Sequence, residues 1–389
     1  MQKTSPTQNT IPQTQARMPL SMKLFLYLLP FALPVLLLTS TMIYTGESMP
    51  LTLVIQHQMS DQPVLYRPQY GNRDLWFKTL SIEARQPEVL VVGSSRVLQM
   101  RSGLLTEAPE VFYNAGAPAW TLEQIATLLF DLDADALPQV LIFGLDHPWF
   151  NDAYVGDTFE PIVNDFSHLF DVNRSVMQEA ISGTFNFDMG QMMARREPEN
   201  GGMALGLRAI RDGHGFRNDG SEQYGDFLVA GWLWQPRERE RHTEWMRTGE
   251  DMYVFGDSVS EEGIAQLIAI LDFAQEHDIQ VIGFMPPFVP SLYQEMMARG
   301  NHTYMTALVE RLETLFTEYD FAFFDFSDSQ GLGTSADFFD GWHGSERVYL
   351  RLFSRMVEDQ PEILGPYTDA EMLRQIDANV TDTWCVFGP

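Results

Sequence analysis

From residue 88 onward, uninterrupted apolar runs alternate with stretches whose apolar residues recur every three or four positions. The runs EVLVVG (88–93), VFYNAG (111–116), QVLIFGL (139–145), QVIGFMPP (280–287) and FAFFDFS (321–327) are rich in β-branched and aromatic residues. Lacking polar alternation, they suit strands buried on both faces, the habit of parallel sheets. Residues 121–136, 264–277, 305–319 and 345–358 carry the helical period, and Thr121 with Gln124 fits a capping box. Strands alternating with helices predict an α/β fold, a three-layer α/β/α sandwich around a five-stranded parallel sheet. Residues 151–257 break the rhythm and read as an insertion. It holds a helix near 173–182, the glycine-rich GHGFRNDGS (213–221), and GWLWQPRERERHTEW (231–245). The alternating Arg and Glu at 237–241 read as a solvated helical face. No internal repeat is visible.

The first 46 residues follow other rules. Residues 1–22 are polar and rich in Gln, Thr and Pro, the composition of a disordered tail. Residues 24–45 contain no charge, and 22 residues suffice to cross about 30 Å of hydrocarbon. Pro30 and Pro34 are expected to kink this span, which membrane helices tolerate. Lys3, Arg17 and Lys23 precede it and no acid occurs before Glu47, which places the tail in the cytoplasm and the remainder outside. A cleavable signal peptide would have a shorter apolar region and an Ala-x-Ala-like site. A retained single-pass anchor is therefore expected, then a linker and lead-in helix (46–85), the main domain (86–358) and a C-terminal extension (359–389).

Charge narrows the function classes. A formal charge of −28 excludes a nucleic-acid binder, which needs a basic face. Lysine occurs only at 3, 23 and 78, and the lone cysteine, Cys385, can form neither an intrachain disulfide nor a zinc site. No metal or organic cofactor is implied.

In doubly wound sheets the reactive groups gather at the C-terminal ends of the strands. There the sequence places Gly93, Ser94, Ser95 and Arg96, then Asn114 and Gly116, then Asp146 and His147, and finally Asp340 and His343. A serine nucleophile needs a base, and the base needs an acceptor that fixes its tautomer. Asp340 and His343 can supply both from one turn. Gly93 lets the chain turn sharply as it leaves its strand. Ser95, at a helix start, would present its own N–H to a developing oxyanion, and Gly116 leaves room for a second backbone donor.

The ordered set Gly-Ser-Ser (93–95), Asn-x-Gly (114–116), Gly-x-Asp (144–146) and Asp-x-x-His (340–343) resembles the SGNH, or GDSL-type, hydrolase superfamily. The resemblance covers about residues 86–358, the insertion aside. It is nearest to membrane-anchored, extracytoplasmic branches such as the alginate O-acetyltransferases and the D-alanine transfer protein of teichoic acids. It implies Ser95 as nucleophile, His343 as general base, Asp340 as its orienting partner, and the N–H groups of Ser95 and Gly116 as oxyanion donors. The implied activity is a serine esterase or O-acyltransferase outside the cytoplasm. Its substrate would be an acyl, most simply acetyl, ester of a cell-envelope or exported polysaccharide, with a membrane acyl-donor protein as a candidate partner. The rival is a non-catalytic assembly or binding subunit of such a system.

Two departures stand out. Ser94 occupies the family's aspartate slot, and Asp146 stands where an asparagine donor belongs. A carboxylate only accepts hydrogen bonds. Arg96 is expected to pair with Asp146, with Asn114 or Arg96 as substitute donor, so that Asp146→Asn leaves activity equal or better. Arg217 reads as part of a glycine-rich turn, with an anionic sugar or phosphate as its competing ligand. Ser258, in GDSVSEEG, lies too near Asp340 in the chain to be the nucleophile and is expected to form a capping box with Glu261. Trp149, Trp232 and Trp234 read as packing, and the methionine pairs 192–193 and 296–297 as core filler.

Overall fold

The computed structural model describes residues 18–116, 120–156, 163–187, 190, 192, 202–229 and 231–388, with backbone alone at 31, 229 and 231–236. Five strands, β1 (Val89–Val92), β2 (Phe112–Asn114), β3 (Val140–Gly144), β4 (Gln280–Met285) and β5 (Ala322–Asp325), form a sheet in the order β2-β1-β3-β4-β5. Every pairing is parallel, with Val91 opposite both Asn114 and Ile142. Side chains alternate between the two faces, and because both faces are packed, polar residues are confined to the strand ends, at Asn114, Gln280 and Asp325. Val89, Val91, Ile142, Ile282 and Phe284 enter one core with the Glu346–Asp359 helix. Leu90, Val92, Leu141, Phe143 and Val281 enter a second core with the helices Leu122–Phe130, Glu261–Glu276 and Tyr304–Glu318. Each fully buried Val, Leu or Phe contributes roughly 1.5–3 kcal/mol of transfer free energy, so both faces of the sheet hold it together.

The chain leaves β1 for β2 on one side and then crosses to β3 on the other. That reversal opens a crevice beyond the ends of β1 and β3. The loops 93–96 and 145–147 border it.

A second sheet holds the strands Met203–Leu205, Val64–Tyr66, Gly215–Phe216 and Glu222–Gln223, in that order. Its second member comes from the segment expected to be a linker with one lead-in helix. That segment in fact carries the helices Leu51–Gln58 and Asp74–Arg85 as well as the strand. Lys78, completely buried, ties this layer to the main sheet by donating to the carbonyls of Asn114 and Gly220.

Helix ends depart from the sequence expectation by local chemistry. The 121–136 helix stops at Phe130, and a short 3-10 turn follows at Ala134–Ala136. Thr121 accepts from Gln124 N, but the Gln124 side chain accepts from Trp120 N rather than closing the box on Thr121. The helix expected near 173–182 begins at Asp165, where Asn164 caps it by accepting from Ser167 N at 2.8 Å. Ser260, not Ser258, caps the Glu261–Glu276 helix, accepting from Gly263 N. The 237–241 charges lie on the Gly231–Thr248 helix, where Arg241 pairs with Glu238. The side chains of Trp232 and Trp234, and residue 193, lie outside the described residues, whereas Trp149, Met192 and Met296 are buried.

At the N-terminus, Leu20–Tyr44 is helical but bends by 55° between Leu20–Pro30 and Ala32–Tyr44. Proline removes a helical hydrogen bond and clashes with the preceding turn, which accounts for the bend at Pro30 and Pro34. Among the described residues no single helix is long and apolar enough to cross a membrane. The bent pair together meets that requirement by length and composition. Its C-terminal end belongs to the folded body: Met42 is buried with Val172, Val176, Leu207 and Ile210.

Candidate active site

Three glycines at three strand ends make one receptacle. A Cβ on Gly93, Gly116 or Gly144 would come within 2.9, 2.6 and 2.3 Å of the Val97 side chain, and Gly93 also has φ +152°. Without side chains there, Val97 sinks between β1, β2 and β3, and the 3-10 turn Ser95–Val97 settles on the strand ends. Ser94 caps that turn by accepting from Arg96 N at 3.1 Å. The Ser95 hydroxyl is thereby left to face outward.

Asp340 to His343 forms a closed turn. Phe339 N donates to His343 O, and Asp340 Oδ1 accepts from Trp342 N and His343 N, each at 2.9 Å. The other carboxylate oxygen lies 2.6 Å from His343 Nδ1. His343 Nε2 in turn lies 2.8 Å from Ser95 Oγ. Two segments 248 residues apart thus share one continuous hydrogen-bonded chain from hydroxyl to imidazole to carboxylate. Asp340 is buried, while the His343 side chain keeps 19% exposure, enough to be reached from solvent.

Electrostatics match this geometry. Burial depresses the His343 pKa, but the charge and hydrogen bond of Asp340 outweigh it and raise the group above its ordinary 6.5. Asp340 is held well below the usual carboxylate range: burial opposes ionisation, and His343 together with the backbone donor overcomes it. Two groups that the motifs did not indicate complete the setting. His242, from the insertion, places Nε2 3.7 Å from Asp340 Oδ2 and binds Tyr253 OH through Nδ1 at 2.9 Å. Burial pushes its pKa down to about 4, so it adds no charge near pH 7. Glu222 pairs with His214 at 2.8 Å. Burial resists its ionisation, yet His214, Arg67 and His343 bring its pKa down to about 2, so its negative charge acts on His343. Both groups come from outside the strand-end loops, and nothing in their local sequence singles them out.

Arg96 is the buried brace beneath the serine. Its Nη1 lies 3.1 Å from Asp146 Oδ1, and its Nη2 donates to the carbonyls of Pro286 and Pro287. Its guanidinium stacks over Phe288 at 4.4 Å, and Tyr349 OH donates to its carbonyl. Nη2 thus spends both of its N–H groups on the backbone, and the guanidinium as a whole is buried. Burial pushes the Asp146 carboxyl up, opposed by Arg96 and the Ser94 hydroxyl. Asp146→Asn would strand the buried Arg96 charge. Beside its expected effect on activity, the substitution is therefore expected to lower stability by about 3 kcal/mol in urea melts, partly restored by adding Arg96→Met.

The other expected donors are also engaged. Asn114 Nδ2 donates to the carbonyls of Val97 and Met100, and Asn114 Oδ1 accepts from Gly116 N, all at 2.8 Å. Asn114 therefore braces the Ser95 turn from below. Arg217 pairs with the buried Glu346 and donates to Glu222 O at 2.8 Å, on the wall of a separate cleft of about 640 Å³. His147 binds Ser327 at 2.9 Å, and Ser258 is exposed away from these groups. No set of three His, Cys, Asp or Glu residues is placed to hold a metal among the described residues.

Compared with known proteins, the chain matches no family model and no curated sequence.

Proposed function

We propose that the protein is a membrane-anchored serine esterase or O-acyltransferase of SGNH type, its main domain a three-layer α/β/α sandwich lying outside the cytoplasm. The observation that carries this reading is the hydrogen-bonded chain from Ser95 through His343 to Asp340. Deprotonated by His343, Ser95 Oγ attacks an ester carbonyl. The tetrahedral intermediate collapses to an acyl-enzyme as His343 returns the proton to the leaving alcohol. Water or a sugar hydroxyl, activated by the same imidazole, then takes the acyl group. The Ser95 N–H at the turn start is the backbone donor for the oxyanion. The proposed substrate is an acetyl ester of an envelope or exported polysaccharide, with a membrane acyl-donor protein as partner. A retained anchor is supported by Met42, whose burial makes the end of the N-terminal helix part of the folded core.

A second reading, a non-catalytic polysaccharide-binding subunit, draws on the engagement of Asn114 and Gly116 with each other and with the Ser95 turn. Incubating the full chain with an acetylated polysaccharide separates the two. Acetate release, or acetyl transfer to added acceptor, supports the enzyme; binding with no loss of ester supports the subunit.

The pH response has a definite sign. A general base must be neutral, so turnover is expected to rise with pH to a half-point above 6.5, read from kcat/KM against pH. The raised His343 pKa contributes stability that is full below 6.5 and lost as pH climbs through the folded value. The depressed Asp340 pKa contributes stability present above 3.8 and lost as pH falls towards its folded value.

A further inference from the structure

The Asp165–Ser182 helix is apolar on two opposite sides. Its inner side sets Val172 and Val176 into the body. Its outer side carries Phe166, Phe170, Met177 and Ile181, exposed by 79, 62, 43 and 83%. These four fall on one side of the helix as two pairs a turn long, with Asn173 and Arg174 on the turn between them, and together form one stripe. A scattered exposed residue needs no explanation, but a continuous apolar stripe marks a contact surface.

The carboxylates of the same helix are drawn off the stripe. Asp165 pairs with Arg73, and Glu179 accepts from Tyr70 OH, both partners belonging to the body. Asp171 is neutralised one turn away by Arg174. In a chain of formal charge −28, a face cleared of net charge is exceptional.

The stripe continues directly into the N-terminal helix. Val35 and Thr39 share with Phe166, Phe170, Met177 and Ile181 an apolar groove of about 540 Å³. Thr39 Oγ1 donates to Asn173 Oδ1 at 2.9 Å, fixing the two helices together. On the same N-terminal helix Leu33, Leu36 and Leu37 are exposed. Thr39 lies roughly 7 Å short of the helix end at Tyr44, at 1.5 Å per residue. Interfacial amphipathic helices sit about 5–10 Å into the headgroup and acyl boundary. The depth at which the two helices meet matches the depth at which such a helix lies.

We propose that the Asp165–Ser182 helix is a second membrane contact, lying in the interface beside the anchor with Phe166, Phe170, Met177 and Ile181 among the acyl chains. This rests on the anchor reading above. The lipid it fits is zwitterionic, because an acidic domain is repelled by an anionic surface. The domain is then held against the bilayer at two places instead of swinging from one tether.

The test uses the full chain carrying Cys385→Ser and one further cysteine, Phe170→Cys, Ile181→Cys, Leu33→Cys or Glu313→Cys, labelled with an environment-sensitive dye. Each is inserted in phosphatidylcholine vesicles doped with nitroxide-labelled phosphatidylcholine. All four positions are exposed, so the fold tolerates the label. Probes at 170, 181 and 33 are expected to be quenched by the lipid nitroxide and several-fold less by aqueous iodide than the probe at 313. Iodide quenching at 170 and 181 as strong as at 313, with 33 still in lipid, overturns the second contact while leaving the anchor intact. Failure at 33 as well overturns the anchor reading and this one together. Shielding from iodide without lipid quenching, with disulfide-linked dimers formed by the unlabelled Ile181→Cys protein under a copper–phenanthroline oxidant, assigns the stripe to a second copy and overturns the proposal.

Discussion

Ser95→Ala is expected to lower ester turnover by a factor on the order of 10⁴–10⁶ while leaving the urea melting midpoint nearly unchanged. The expectation follows from how the two serines divide their work. Ser94 accepts from Arg96 N and caps the turn, whereas Ser95 Oγ has the His343 ring at 2.8 Å as its partner. Removing the Ser95 hydroxyl therefore takes away the nucleophile without uncapping the turn. Ser94→Ala should do the opposite, costing about 1 kcal/mol of stability for the lost cap and retaining measurable turnover. Steady-state kinetics and denaturant melts on the two variants decide the assignment. Equal activity losses in both would mean that the turn's shape matters rather than one alcohol.

Asp340→Asn is expected to reduce kcat by about 10⁴-fold. An amide in that place can present N–H where the imidazole Nδ1–H needs an acceptor, so the ring turns or adopts the other tautomer and no longer receives the Ser95 proton. The same change removes the two largest influences that lift the His343 pKa, the charge and hydrogen bond of Asp340, leaving only the Glu222 charge against burial. The residual activity should then have its half-point at lower pH than the parent protein. A pH–rate profile separates this from a plain folding defect, which would lower activity at every pH alike. His242→Gln, which leaves the Asp340–His343 bond in place, should have a much smaller effect on rate, because His242 Nε2 at 3.7 Å from the carboxylate is beyond hydrogen-bond length.

The parallel strands were legible because both faces of the central ones are buried, which removes the polar alternation of a half-exposed strand; the edge strand Ala322–Asp325, only partly buried, was announced by its aromatic run instead. The second sheet was not. Its strands are two or three residues long, and one comes from a segment more than a hundred residues before the others, so no local period announces it. Gly93, Gly116 and Gly144 read as turn residues, yet what they share is the Val97 side chain, a fact of three-dimensional packing. Asp146 shows the limit most plainly. Its partner Arg96 could be named from charge alone, but that the pair is sealed from water beneath the serine depends on Pro286, Pro287, Phe288 and Tyr349, which arrive from far along the chain. His242 and Glu222 act on the Asp340–His343 pair from the inserted region, where no strand-end rule points.

The measurement closest to the centre of this account is covalent labelling of the intact chain by a fluorophosphonate, followed by peptide mapping. An activated serine should form a single adduct at Ser95, and His343→Ala should abolish it. An unlabelled protein, or an adduct at Ser258 in place of Ser95, would contradict the proposed chemistry.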